Sequence, residues 1–272
     1  MEIHPNSKLV DDIKNIGRLA GSVLIKYSNS ESNDISWKQD NSPVTLADKE
    51  SDRIIFSGLK LLTPQIPIIS EESSQPPYEV RKDFQTYWLV DPLDGTKEFI
   101  KGLHESCVCI ALIKNNEVLF SLIDDPFSKR QYYAIKGKGA FECDYDGLEK
   151  KIHVQKHEDG HTAKIYQSRS KPIIDHQLID GDPIQWVPMG SALKFCQLAR
   201  GEVHLYFRWS PFMEWDAAAG QLIASEAGAR VTDLHGQPIS YNTESLLLQG
   251  IIVDAKPWPL SEILALRNLE SD

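Results

Sequence analysis

An apolar run that stops on an acid and turns at once, Trp88-Leu89-Val90-Asp91-Pro92-Leu93-Asp94-Gly95-Thr96, constrains this chain more than any other segment. Its apolar start reads as a strand that delivers Asp91 to its end. Pro92 holds φ near about −65° in the turn that follows. That geometry can aim the Asp91 and Asp94 carboxylates and the Leu93 carbonyl at one point. Gly95 lets the backbone approach a ligand closely, and its N–H and that of Thr96 are available to a phosphate oxygen. Every donor here is oxygen, which suits Mg²⁺ rather than zinc. The same residues also make an ordinary strand with an Asp-capped turn, because Asp, Pro and Gly are common turn formers.

The rest of the chain divides into two patterns. Apolar residues at Leu9, Ile13, Ile16, Ala20, Val23, Leu24 and Tyr27 form one helical stripe, with Ser7 as its expected cap. A polar stretch from Ser28 to Ser36 precedes a second helix, opened by the capping-box pattern Thr45-Leu46-Ala47-Asp48. The run Ile66 to Ile69 ends in Glu71-Glu72. Val108 to Ile113 and Val118 to Ile123, joined through Lys114 to Glu117, read as a hairpin, and Tyr132 to Ile135 as a further strand. The polar segment Cys143 to Lys151 is the expected boundary, giving halves 1–147 and 148–272. Beyond it Ile165-Tyr166 and Val203 to Phe207 look extended. Ser191 to Arg200 and Trp215 to Ala227 look helical, closed by Gly201 and Gly228, and Ile251 to Val253 is a final strand. An α+β half carrying the Asp91–Thr96 turn is thus followed by an α/β half.

At 272 residues the chain makes roughly two domains or one large layered one. Its 29 Lys and Arg against 39 Asp and Glu give a net charge of −10. Nucleic-acid polymers are held by cations that neutralise phosphates, so such a partner is not expected. The longest wholly apolar stretch, Cys107 to Ile113, is seven residues, and a spanning helix needs about 20. The N-terminus lacks the basic start, apolar core and cleavage site of a signal peptide. Cys107, Cys109, Cys143 and Cys196 include no CxxC pair. Cys107 and Cys109 alternate in a strand, share a face and behave as small core hydrophobes, as suits a reducing cytosol.

Two further acids keep the turn company. Glu71 also ends an apolar run, and Asp216 opens the small-residue helix Trp215-Asp216-Ala217-Ala218-Ala219-Gly220. Alone, Asp216 is a helix cap and Asp48 the third-position acid of a capping box. If Glu71, Asp91, Asp94 and Asp216 converge, their formal charge of −4 demands cations. Two like charges about 4 Å apart repel by about 4 kcal/mol at an effective dielectric near 20. Two divalent ions cancel that charge, in an arrangement common among phosphate-ester hydrolases. Other motif matches fail on context. His157-Glu158-Asp159-Gly160-His161 fits the zinc-protease pattern, but Asp159-Gly160 signals a turn where a helix is required. Ser191-Ala192-Leu193-Lys194 has the SxxK spacing without its partner motifs. Asp144-Tyr145-Asp146-Gly147 begins like a calcium loop, yet its Gly comes too early.

Four segments, in order, resemble the motifs of the inositol-monophosphatase-like, lithium-sensitive phosphatases. They are Asp40-Asn41-Ser42-Pro43-Val44-Thr45-Leu46-Ala47-Asp48, Glu71-Glu72-Ser73, Asp91-Pro92-Leu93-Asp94-Gly95-Thr96 and Trp215-Asp216-Ala217-Ala218-Ala219-Gly220. Together they span about Lys38 to Gly228. Within that superfamily the chain is most similar to the CysQ-type 3'(2'),5'-bisphosphate nucleotidases. Lys97-Glu98-Phe99 follows the DGT, and Gly190-Ser191-Ala192-Leu193-Lys194-Phe195-Cys196 resembles the segment whose Ser and Lys hold a second phosphate. Trp209 stands where inositol phosphatases place a Glu that reads sugar hydroxyls. It is suited to flank a base, or simply to pack.

The resemblance implies a layered α-β-α-β-α sandwich of the inositol monophosphatase and sugar phosphatase type. It makes Glu71, Asp91, Asp94 and Asp216 metal ligands, with the Leu93 carbonyl as a fifth, around two or three Mg²⁺ ions per site. Asp48 and Thr96, with Glu71, would activate water. Gly95 and Thr96 would hold the transferred phosphoryl, with Asp94 and Asp216 beside the substrate. Ser191 and Lys194, three apart on an expected helix face, would take the second phosphate, and Arg169 and Arg208 either add positive charge or form surface ion pairs. The implied reaction is removal of the 3'-phosphate of adenosine 3',5'-bisphosphate, leaving AMP, in sulfate assimilation. 3'-Phosphoadenylyl sulfate is a further candidate substrate. Inositol monophosphatase or fructose-1,6-bisphosphatase activity is the alternative, and a non-catalytic nucleotide sensor a more distant one. The implied protein is a cytoplasmic monomer or homodimer, free or peripheral at the inner membrane, with a small nucleotide bisphosphate as its partner.

Overall fold

The computed structural model describes residues 5–28, 36–37, 43–169 and 178–266. Lys38 to Ser42, including Asp40 and Asn41 of the first motif, and most of the Ser28 to Ser36 stretch lie outside the described residues.

Helix α1 (Ser7–Ser28) buries Val10, Ile13, Ile16, Ala20, Val23 and Leu24, the expected stripe. Its cap is Asn6 rather than Ser7: the Asn6 Oδ1 accepts from Leu9 N–H at 2.9 Å. Asn and Ser serve equally well there, so only geometry selects between neighbours. Strands β1 (Ser36–Trp37) and β2 (Pro43–Val44) form a short antiparallel pair. Helix α2 (Leu46–Leu62) opens with the capping box, Thr45 Oγ1 accepting from Ala47 N–H and Asp48 Oδ2 from Thr45 N–H.

A seven-stranded sheet follows. Strand β3 (Ile68–Ser70) leads through α3 (Tyr78–Arg81) to β4 (Thr86–Asp94), which lies parallel to it. The short α4 (Thr96–Ile100) then leads to β5 (Cys107–Lys114), β6 (Glu117–Asp125), β7 (Arg130–Ile135), β8 (Gly139–Asp144) and β9 (Glu149–Ile152), an antiparallel meander. Asn115 and Asn116, both at positive φ (50° and 64°), close the expected β5–β6 hairpin in the turn that suits twisted strands. The polar residues around 143–151 are a β-hairpin in this sheet.

The second sheet has the order β11-β12-β10-β13-β17-β15. It comprises β10 (Ala163–Ser168), β11 (Leu178–Ile179), β12 (Asp182–Met189), β13 (Leu205–Arg208), β15 (Arg230–Thr232) and β17 (Ile251–Asp254). Helices α5 (Leu193–Ala199) and α6 (Glu214–Glu226) interrupt it, β14 (Phe212–Met213) pairs with β16 (Leu247–Leu248), and α7 (Leu260–Ala265) ends the described chain.

Side-chain alternation on β4 to β7 separates two cores. Trp88, Val90, Ile110, Leu112 and Leu122 face α1 and α2. Leu89, Cys109, Ala111, Ile113 and Ile123 face α5 and α6, whose other side meets Tyr166, Tyr206 and Val253 of the second sheet. Ile165, Leu205 and Ile252, on the far face of that sheet, pack with Trp258 and Ile263. The layers therefore read α-β-α-β-α, as expected, because a sheet buried on both faces needs helices on both.

One close approach has a measurable consequence. A Cβ on Gly21 of α1 would stand 2.1 Å from Asp124 Oδ2, so glycine lets the helix settle against β6. Burial pushes the Asp124 carboxyl up to about 7, although Tyr145 and Gln131 donate to it. The folded state thus binds this proton more tightly than the unfolded chain. Its stabilising contribution is full at low pH and is lost as pH rises towards 7, by roughly 4 kcal/mol in all. Asp124→Asn should remove that part of the slope, raising Tm relative to the wild type at pH 8 and little at pH 4, as thermal melts at the two pH values would read.

Candidate active site

The acids meet because two parallel strands end together. β3 pairs with β4 in the register Ser70↔Val90, and Glu71 N–H donates to Val90 O at 3.1 Å, so Glu71 and Asp91 leave the same sheet edge. After Asp91 the β4–β5 ladder shifts register before resuming at Asp94↔Cys107. Within this bulge Asp91 Oδ1 accepts from Leu93 N–H at 3.0 Å, and the Pro92 carbonyl accepts from Ser51 Oγ of α2 at 2.8 Å. The turn is thereby pinned from both sides. Asp216 arrives from the first turn of α6.

Glu71, Asp91 and Asp216 each offer an oxygen within 4.8 Å of the others. Asp94 lines the same cleft and its charge acts on Asp91 and Asp216, though it does not join this trio at that spacing. Its Oδ2 accepts from Ala192 N–H and lies 4.0 Å from Cys107 Sγ. The cleft, of about 450 Å³, is also lined by Leu93, Gly95, Thr96, Ser191, Lys194 and Arg208. Gly95 has φ of 90°, and a Cβ there would stand 3.0 Å from Glu105 O and 3.1 Å from Ser191 Cβ. Only glycine suits both the backbone angle and the space.

Burial and mutual repulsion push these carboxyls upward. Asp91 rises through desolvation and then through Glu71, Asp94 and Asp216. Asp216 is raised to about 8, by burial and then by Asp94, against Arg208 Nη1 at 3.6 Å. Asp94 reaches about 6, held down by Lys194 and the Ala192 N–H. So many buried acids favour either protons or bound cations. An all-oxygen donor set of three carboxylates beside the Leu93 carbonyl fits a hard divalent ion such as Mg²⁺.

Asp48 combines two readings that the sequence kept apart. Its Oδ2 completes the capping box with Thr45, and its Oδ1 accepts from Thr96 Oγ1 at 3.3 Å. The Thr96 hydroxyl also lies 3.2 Å from Leu93 O.

The Ser191–Lys194 reading needs a correction. Ser191 lies before α5 with φ of 51°, so the two residues do not share a helix face. Both nevertheless line the cleft. Lys194 is only 7% exposed, its Nζ 3.4 Å from Met189 O and 5.2 Å from the Tyr206 ring centre. Burial lowers its pKa while Asp94 raises it. Arg208 reaches the cleft, whereas Arg169 pairs with Glu105 and Pro188 O. Trp209 both lines the cleft and packs, stacking on Phe207 at 4.6 Å, and its buried Nε1 has no acceptor among the described residues. His157 and His161 flank a turn as expected, and His157 Nε2 bonds Asp182 at 2.8 Å.

Sequence reading missed Gln167 and Tyr206, which also line the cleft. They come from the neighbouring parallel strands β10 and β13. A polar residue directly after the extended Ile165-Tyr166 pair was the available signal for Gln167.

The inositol monophosphatase family model matches residues 8–267. The 3'(2'),5'-bisphosphate nucleotidase CysQ of Escherichia coli K12 is 40% identical over 250 residues, covering 90% of this chain and 99% of the relative. That of Salmonella typhimurium is 40% identical over 253 residues, with the same coverage. Among solved structures, CysQ from Bacteroides thetaiotaomicron superposes with a TM-score of 0.74 at 31% identity, covering 90% of this chain and 96% of that one. A family match over nearly the whole chain makes this protein a member of the inositol monophosphatase family.

Proposed function

We propose that this chain is a Mg²⁺-dependent phosphomonoesterase that removes the 3'-phosphate of adenosine 3',5'-bisphosphate, releasing AMP and phosphate. The observation that carries it is the convergence of Glu71, Asp91 and Asp216 within 4.8 Å beside the Thr96–Asp48 pair. The nucleotidase relatives at 40% identity support the substrate. So do a buried cation, Lys194, and the Trp209 ring in the place of a sugar-reading carboxylate.

Glu71, Asp91, Asp94, Asp216 and the Leu93 carbonyl would hold two or three Mg²⁺ ions. When bound, these supply Lewis-acid stabilisation of phosphoryl charge. The chain's own groups orient the reaction. Asp48 is clamped by Thr45, so its free oxygen faces Thr96 in one orientation. With its proton given to Asp48, the Thr96 hydroxyl accepts one from the attacking water and fixes that water's lone pair toward phosphorus. The Gly95 and Thr96 N–H groups, at the start of α4 and in the cleft lining, would hold phosphoryl oxygens. Lys194, beyond them, takes the 5'-phosphate.

Thr96→Ala should lower kcat about a hundredfold or more while leaving Mg²⁺ affinity near the wild-type value. Phosphate release against magnesium concentration would separate the two. The broader reading is tested by phosphate release from adenosine 3',5'-bisphosphate, 3'-phosphoadenylyl sulfate, inositol 1-phosphate and fructose 1,6-bisphosphate, with Mg²⁺ and again with Li⁺ added. Preference for inositol 1-phosphate would overturn the nucleotide reading. All four cysteines are free and buried, which accords with a cytoplasmic enzyme. Among the described residues, no helix is long and apolar enough to cross a membrane.

A further inference from the structure

Directly behind Asp94 the sheet assembles a second donor set of different chemistry. Asp94 opposes Cys107 across β4 and β5, and Cys109 follows two residues on, so both thiols leave the same face of the strand. Their sulfurs lie 3.9 Å apart, and Cys107 Sγ lies 4.0 Å from Asp94 Oδ2. One donor atom from each residue falls within 4.8 Å of the other two. Two thiolates bound tetrahedrally, each about 2.3 Å from an ion, stand about 3.8 Å apart. The sulfur spacing is therefore already that of a bound pair. A carboxylate oxygen on the same ion would lie about 3.5 Å from each sulfur. The Asp94 oxygen, 4.0 Å from Cys107 Sγ, lies about half an ångström outside that distance on the Cys107 side, and it is within 4.8 Å of Cys109 Sγ. Neither thiol is in a disulfide.

We propose that Asp94, Cys107 and Cys109 form a capture site for a thiophilic divalent ion such as Zn²⁺ or Cd²⁺, and that filling it stops turnover by drawing Asp94 away from the magnesium centre. The inhibitory half rests on the function proposed above; the capture site itself does not. Charge makes the exchange feasible in a buried place. A free thiol is protonated at neutral pH, so both enter the exchange carrying their protons. With Asp94 ionised the set carries −1. A divalent ion that enters and expels both thiol protons leaves it at −1, so no net charge is buried. Mg²⁺ does not fill this site itself, because it disfavours sulfur, and it opposes filling only through its claim on Asp94. Asp94 is the shared element, held from the other side by Ala192 N–H and by the charge of Lys194.

The test is titration of the Mg²⁺-loaded protein with Cd²⁺, following the ultraviolet charge-transfer absorbance of cadmium–thiolate bonds, proton release and activity together. Expected is an absorbance that saturates at one Cd²⁺ per chain, with two protons released per ion. Inhibition should share that midpoint, and excess Mg²⁺ should move both to higher Cd²⁺ together, because the two ions compete for Asp94. Cys107→Ala/Cys109→Ala should keep basal activity, lose the absorbance and need at least about tenfold more Cd²⁺ for inhibition. Cys109→Ser serves the same comparison if the double variant fails to fold. No absorbance in the wild type, or the same absorbance in the variants, would overturn the capture site. Absorbance without inhibition, or equal inhibition of the variants, would overturn the withdrawal of Asp94. Lack of Mg²⁺-dependent turnover before any cadmium is added would instead count against the catalytic reading and leave the absorbance test standing.

Discussion

Asp91→Asn should reduce turnover by about a thousandfold or more while the chain stays folded. Asp91 is 2% exposed and sits among Glu71, Asp94 and Asp216, at the centre of the acidic group. The amide keeps the one local hydrogen bond the side chain makes, since Asn retains an oxygen to accept from Leu93 N–H. What it loses is the negative charge. If that charge holds the catalytic ions, the loss of transition-state stabilisation is of the order of 4 kcal/mol, about a thousandfold in rate. The stability effect should have the opposite sign. In metal-free buffer, removing one of several mutually repelling acids relieves the charge repulsion, so the variant's Tm should equal or exceed that of the wild type. Added Mg²⁺ should raise the wild-type Tm more than the variant's, because binding to the folded state alone stabilises it. Phosphate release and thermal melts with and without Mg²⁺ check all three outcomes. Full activity in a folded Asp91→Asn protein would sink the metal assignment.

Lys194→Ala should raise KM for adenosine 3',5'-bisphosphate by about tenfold to a hundredfold and change KM for a 3'-monophosphate by far less. The ammonium group is buried, with the Met189 carbonyl at 3.4 Å, the Tyr206 ring beside it and the Asp94 carboxyl acting on it through charge. A charge-assisted hydrogen bond to a phosphate is worth about 1.5–3 kcal/mol, which sets that range. The two-substrate comparison matters because Lys194 also lowers the Asp94 carboxyl. If its role were only to steady Asp94, both substrates would suffer alike in kcat. Equal KM effects on the bisphosphate and the monophosphate would defeat the second-phosphate role.

Local signals read well where a short stretch decides its own conformation. The Thr45–Asp48 capping box, the β5–β6 hairpin and the helix closed by Gly228 all form where the residues indicate. Capping and turn chemistry act over three or four residues, so no distant partner is required. The signals that misled were also local. Ser7 and Asn6 are equivalent caps by type. Ser191 is an acceptable helix residue, yet in the fold it adopts a left-handed angle beside Gly95.

The acids Glu71, Asp91 and Asp216 were visible as candidates because each closes or opens an element, and four ordered motifs identified the family. Which of them share a point is a different matter. Parallel pairing of β3 with β4 brings Glu71 to Asp91, and helix α6 between the sheets brings Asp216 to both. The bulge after Asp91 sends Asp94 toward the thiols of Cys107 and Cys109, residues that read as plain core from the sequence. Arg169 is drawn off by Glu105, from far away in the chain. Residue type and short spacing thus specified the elements, their caps and the kind of ion that could bind. The packing of two sheets around α5 and α6 decided the neighbours, because contacts between residues over a hundred positions apart depend on register and layer order, which no short segment encodes.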